Sequence, residues 1–169
     1  MHLLIRRFGG LFAGAALAVA LTASLAGQAK AAQPQFQLHT QANILHSMAD
    51  VSGFAFSPSS STDPKQRWLK NDKGFGFFEL RNAADQSKCL SRPALTNGGS
   101  LIGKTVRVDA CDGSASQQWK INPSGDLQHR ASGLTAVVDL TNANQAVKMA
   151  GIPSGPLPSN ARWHIHQVA

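Results

Sequence analysis

Few residues in this chain are arranged for catalysis. His164 and His166 alternate along a strand-like segment, so their imidazoles project the same way and would hold a metal if a third ligand joined them. No Cys, Glu or second His pair is spaced to complete that set, and exposed histidines on a terminal strand are the simpler reading. Asp109 and Asp112 flank Cys111 and could pair across a turn, as acid–base chemistry requires, with solvated turn carboxylates as the default. The single glutamate, Glu79, sits in a strand-like run. There is no serine in a nucleophile elbow and no His-Glu-x-x-His. Gly74-x-Gly76 is a fragment of a dinucleotide fingerprint that lacks its third glycine and a following helix. The residues exclude an enzyme, and no metal or cofactor is expected. Cys89 and Cys111 are the only cysteines; an even count in an exported chain reads as one disulfide.

Recognition is the remaining chemistry, and a repeat organises it. Three tryptophans close similar segments: Gln66-Arg67-Trp68, Gln117-Gln118-Trp119 and Ala161-Arg162-Trp163, spaced 51 and 44 residues apart. Each copy begins alike, at Phe36-Gln37-Leu38, Phe78-Glu79-Leu80 and Leu127-Gln128-His129. A period of this size marks one supersecondary unit that cannot bury its apolar face alone. Three such units are too few for a solenoid, so closure around a threefold axis is expected. The repeats span residues 36–72, 73–123 and 124–167. Their apolar signal is short and alternating, as in Thr105 to Asp109 and Trp163 to His166, and Gly- and Pro-rich turns separate the runs. No sustained 3.6-residue stripe follows the first thirty residues, which predicts an all-β domain. Placed on one strand, Gln and Trp of Gln-x-Trp share a face, so Trp68, Trp119 and Trp163 are expected in the core with the amides beside them.

Residues 1–31 read as a secretory signal. Arg6 and Arg7 form a basic start, Leu11 to Ala26 is almost wholly apolar, and Ala29-Lys30-Ala31 ends in small residues. Sec-type export with cleavage after Ala31 is expected, leaving one domain, 32–169, secreted or periplasmic and without a transmembrane segment. The whole chain carries a net charge of +7, three cations of which lie in the leader, so the domain holds +4. That excess is spread out, without a Lys/Arg run. It suits an anionic glycan, lipopolysaccharide or an acidic partner, and argues against a nucleic-acid stripe.

At these residues the chain resembles the ricin-B-type β-trefoil, a single domain of three Gln-x-Trp-type repeats forming a six-stranded barrel with a hairpin cap. Repeat two is the nearest copy, with Cys89-Leu90, Val106 to Cys111 and Gln117-Gln118-Trp119-Lys120-Ile121. In that family two such cysteines pair within a repeat. Its sugar-binding repeats usually carry an Asp after Cys-Leu, an aromatic two residues before the second cysteine and an Asn before Gln-x-Trp. Repeat two has Ser91, Asp109 and Ser116 there and keeps only Gln117; repeat three has Asp139 and Asn160 but Ala150 for the aromatic; repeat one has His46, Phe56 and Lys65 before Gln66. The usual pockets look eroded, with Asp139 and Asn160 the best remaining set. The short first repeat ending Asp63-Pro64-Lys65-Gln66-Arg67-Trp68, and Gly74 to Asn82 leading to Lys88-Cys89-Leu90, resemble the cell-binding subunits of cytolethal distending toxins, the C-type more than the A-type. That resemblance implies a cell-surface binding subunit whose partners are a glycan, glycoprotein or lipid receptor, a nuclease-like subunit and a second trefoil. The alternative is a free-standing carbohydrate-binding lectin; a trefoil protease inhibitor is disfavoured by the Gln-x-Trp repeat.

Two aromatic groups complete the candidates. Phe75 and Phe77 are expected on one face of a strand with Phe78 on the other, leaving the pair as a recognition surface or as a second small cluster under a loop. Phe54 and Phe56 carry the same two readings.

Overall fold

The computed structural model describes residues 32–42, 46–49, 56–58, 62–95, 98–141 and 145–168. The expected export signal, residues 1–31, and Phe54 lie outside them. Twelve strands are described, and they fall into three sets of four. Repeat one holds β1 (Gln35–Thr40), β2 (His46–Met48), β3 (Phe56–Pro58) and β4 (Trp68–Asp72). Repeat two holds β5 (Phe78–Asn82), β6 (Lys88–Ser91), β7 (Arg107–Ala110) and β8 (Gln118–Ile121). Repeat three holds β9 (Leu127–His129), β10 (Thr135–Val138), β11 (Val147–Ala150) and β12 (Trp163–Val168).

One device is built three times. Ahead of each tryptophan the chain makes a single 3₁₀ turn, at Pro64–Gln66, Ala115–Gln117 and Ser159–Ala161. Asp63 and Ser114 cap the first two, each side chain accepting from the backbone N–H two residues on. The turn tips the following indole inward, and all three indoles are buried. Each Nε1 donates to a carbonyl on the second strand of its own repeat: Trp68 to Met48 (3.1 Å), Trp119 to Leu90 (2.9 Å) and Trp163 to Ala136 (2.7 Å). A large apolar body is thus buried with its one polar atom satisfied. The Gln of Gln-x-Trp ends the 3₁₀ turn and is not on the strand that carries the indole, yet Gln66 and Gln117 are buried beside it.

The strands form one antiparallel sheet in the order β11-β10-β9-β8-β5-β4-β1-β12, with the β6–β7 ribbon joined at β5; β2 and β3 pair separately. The expected six-stranded barrel is not closed. Its sheet is open between β9 and β12, which share no ladder, only the isolated bridge Asp126↔Arg162. The register supplies the reason. Phe36 lies opposite Trp68 and Phe78 opposite Trp119. The same threefold step from the pairs Trp119↔His129 and Thr40↔Trp163 puts Gly125 opposite Trp163, where the Trp163 N–H donates to the Gly125 carbonyl at 2.7 Å. Gly125 has φ +94, outside strand geometry, and offers no side chain to continue the seam. The register also corrects the third repeat's start: Leu127, not His129, matches Leu38 and Leu80, and all three leucines are fully buried.

Phe75 and Phe77 are not on a strand either. Residues 73–77 turn the chain from β4 to β5, closed by Lys73 N–H to the Phe77 carbonyl (2.8 Å) and Phe77 N–H to the Gly74 carbonyl (3.0 Å). Phe78 then faces the core from β5.

Candidate functional site

The 3₁₀ turn of repeat two, its β6–β7 ribbon and its disulfide converge on one corner. Cys89 on β6 and Cys111 just past β7 are bonded, with Cα atoms 5.0 Å apart, which ties the ends of the ribbon together. Against this ribbon lies a cavity of about 240 Å³ lined by Ser91, Arg92, Pro93, Ala94, Asp109, Ala110, Asp112, Ser116 and Gln117. Gln117 is the fixed wall. Its Nε2 donates to Ser91 Oγ (3.0 Å) and to the Ala110 carbonyl (2.7 Å), and its Oε1 accepts from the Asp112 N–H (2.8 Å). The buried amide therefore uses both donors to hold the two sides of the cavity in register.

The movable chemistry sits at the rim. Asp109 pairs with Arg107 at 3.4 Å and its side chain is 42% exposed, leaving carboxylate oxygen to the opening. Asp112 accepts from the Ser114 N–H at 2.8 Å, and the Ser114 backbone and hydroxyl hold its carboxyl below the usual carboxylate range. The Ser116 hydroxyl and the Arg92 guanidinium complete a set rich in donors and acceptors with no aromatic face, while the buried Ser91 hydroxyl is spent on the Cys89 carbonyl (3.2 Å) and on Gln117. Such a set forks onto adjacent hydroxyls of a polyol; it has no platform on which a sugar ring would stack. Beneath it, buried His129 is pushed down to about 4, by burial first, so the imidazole is neutral near pH 7.

Repeat three builds the same corner with different contents. Asn160 Nδ2 donates to the Val138 carbonyl (2.7 Å), which brings Asn160 beside Asp139 at the end of β10. Asp139 is already engaged. Its Oδ2 pairs with Lys148 Nζ at 2.6 Å, and its Oδ1 accepts from the N–H (3.0 Å) and hydroxyl (2.6 Å) of Thr141. Lys148 above all, then Thr141, holds this carboxyl far below its ordinary value. In repeat one Gln66 Oε1 accepts from Ser47 Oγ at 2.6 Å; the side chains of His46 and Phe56 lie outside the described residues.

The aromatic candidates separate. Phe77 is half-buried with Lys120 and Arg130 over its ring, at 5.1 and 5.0 Å from the centroid, while Phe75 stands 92% exposed at the hairpin tip. His164 and His166 are exposed on β12, where the His166 ring stacks on His39 at 4.7 Å. Glu79, Cys89 and Cys111 come close enough to suggest a metal group, but the two sulfurs are spent on each other. Neither Arg92 nor Pro93 stands out in the repeat pattern, and Asp112 reads from sequence as a turn carboxylate. The adjacency of Arg92 to Ser91, and of Asp112 to Cys111, was the available signal.

Comparison with known proteins places the fold. Residues 64–152 match the model of the family described as ricin-type beta-trefoil lectin domain-like. Among solved structures, a designed threefold-symmetric protein, ThreeFoil, is similar at 21% identity and TM-score 0.62, over 78% of this chain and 96% of that one. Polyporus squamosus lectin, solved with the epitope Neu5Aca2-6Galb1-4GlcNAc, is similar at 12% identity and TM-score 0.63, over 80% of this chain and 49% of that one. The cytolethal distending toxin of Haemophilus ducreyi gives 14% identity and TM-score 0.59, over 77% of this chain and 81% of that one. These identities speak for the fold alone. No curated protein matches.

Proposed function

The chain belongs to the ricin-type β-trefoil lectin domain-like family, a family of binding modules and not of catalysts, and on that premise we propose an exported, free-standing lectin whose working site is the polar cavity of repeat two. One observation carries this reading: the described cavity coincides with the corner where the family resemblance places a sugar pocket, and Gln117 holds it open. Its ligand is a polyhydroxylated glycan gripped through Asp109, Asp112 and Ser116. Without an aromatic platform the grip is polar and weak for a single sugar, so useful affinity comes from a multivalent surface. Among the described residues no helix is long and apolar enough to cross a membrane. Export itself rests on residues 1–31.

A glycan array with the whole chain tests the proposal, comparing wild type with Asp109→Ala. Binding to a defined set of glycans that the substitution abolishes supports it; the same set bound equally by both variants sinks the repeat-two site.

A toxin-subunit role is the second reading, and it rests on the resemblance of Asp63 to Trp68 and of Gly74 to Asn82 to toxin cell-binding subunits. Stoichiometric co-purification of a nuclease-like protein and a second trefoil from the native source would carry it; recovery of a lone monomer would leave the lectin.

A further inference from the structure

We propose that the β4–β5 hairpin docks this protein onto an anionic lipid surface, with the Phe75 ring entering the boundary between headgroups and acyl chains. Phe75 lies at φ +54, between Gly74 at +80 and Gly76 at +75. That region strains a bulky aromatic residue, and a third glycine would serve the turn better. With 92% of the residue exposed, the fold gains almost nothing from the ring in return. A strained, unsupported aromatic at a hairpin tip is placed for a contact outside the chain.

The charge around the tip selects that contact. Lys120 and Arg130 lie over the ring of Phe77, two residues on, and Lys70 and Lys73 stand on the β4 side of the turn. Of the neighbouring acids, Asp72 pairs with Lys70 at 3.3 Å, and Glu79 is buried against Lys73 (3.3 Å) and Arg81 (2.7 Å). Across the turn, its flanking strands and the residues over Phe77, five cations (Lys70, Lys73, Arg81, Lys120 and Arg130) stand against two acids, a net +3. Basic side chains ringing one apolar wedge are the pattern of an interfacial anchor on anionic lipid.

The apolar surface continues behind the wedge. Phe36, Phe78, Ile121, Trp163 and Ile165 line a recess of about 400 Å³, with Gly76 of the hairpin and Lys70 at its edge. Two of the threefold-related phenylalanines, Phe36 and Phe78, line it; Gly125 stands where the third would be. A stable protein partner needs roughly 800 Å² from each side with a broad apolar centre. A single ring above a basic surround does not offer that. Among the described residues, the other exposed large apolar side chains, Leu95, Ile102, Leu140 and Ile152, belong to other loops.

The experiment uses the whole chain carrying Phe75→Trp. The three native tryptophans are buried, so the new indole reports its own surroundings. Vesicles of phosphatidylcholine alone are compared with vesicles one-quarter phosphatidylglycerol. The expected result is a blue shift and quenching by brominated acyl chains with the anionic vesicles only, both reversed by salt. Phe75→Gly suits the turn's backbone, so it keeps the fold, and it should weaken the phosphatidylglycerol-dependent binding about tenfold. Failure to bind anionic vesicles, a water-exposed indole on protein that does bind them, or undiminished binding by Phe75→Gly each overturn the proposal.

Discussion

Repeats two and three share one backbone and differ in what they offer a ligand. Both place a 3₁₀ turn, a buried indole and a donated hydrogen bond to the second strand at equivalent points. In repeat two the turn ends in Gln117, whose amide holds a cavity between ribbon and turn. In repeat three Ala161 replaces it, and the neighbouring carboxylate, Asp139, is absorbed by Lys148 and Thr141. The scaffold is therefore set by the tryptophan device, and the binding chemistry by the residues just before it. These two layers vary independently, which is how a repeat can lose a pocket and keep its fold.

The largest expected effect tests the shared layer. Trp119→Ala and Trp163→Ala should each cost about 3–5 kcal/mol, since each removes a fully packed indole and leaves a carbonyl unpaired. Denaturant midpoints at one pH would show it. A loss confined to one of the two variants would break the equivalence of the repeats.

Gln117→Ala comes next and separates the layers. Removing the amide strands the Ala110 carbonyl and the Asp112 N–H, at about 1–3 kcal/mol. Glycan binding should vanish in a variant that still folds at room temperature. Retained binding in the folded variant would detach the amide from the site.

How much of this was legible depends on the range of the cause. The tryptophan spacing, the alternating runs and the cysteine pair are local, and they lead directly to three four-stranded repeats and a bonded ribbon. The open sheet was not legible, because it turns on one register position. Aligning His129 with Leu38 and Leu80 hid the fact that Gly125 stands at the phenylalanine place. Phe75 and Phe77 alternate like strand residues, but the flanking glycines accept positive φ and turn the chain there. The family resemblance already grouped Ser91, Asp109, Ser116 and Gln117, but the cavity adds Arg92 and Asp112 across the ribbon, and no spacing rule predicts those two.

A smaller effect distinguishes the seams between repeats. His129 packs against Trp119 (centroids 4.9 Å), where Asn82 and Thr40 occupy the equivalent places opposite Trp68 and Trp163. Only here does an imidazole stand directly opposite the tryptophan. Its folded value of about 4 lies below the ordinary 6.5, so the unfolded chain binds the extra proton between the two. The stability it contributes is complete above pH 6.5 and is lost as pH falls toward 4. His129→Asn, which copies the residue at the repeat-one seam, should flatten the stability profile across that window. An unchanged slope in thermal melts from pH 7 to pH 4.5 would place the acid sensitivity elsewhere.

The smallest expected change is the most discriminating. Asp139→Ala removes the carboxylate that by sequence looked best suited to a sugar, so a working repeat-three pocket would lose its glycan outright. The geometry argues otherwise, because both oxygens of Asp139 already serve Lys148 and Thr141. Freeing Lys148, which keeps about a third of its side chain in solvent, should lower the unfolding midpoint only modestly, less than either change above. Glycan affinity should equal wild type on the array that Asp109→Ala silences. Should Asp139→Ala lose affinity while Asp109→Ala keeps it, the comparison between the repeats reverses, and the ion pair becomes the gate that a ligand must open.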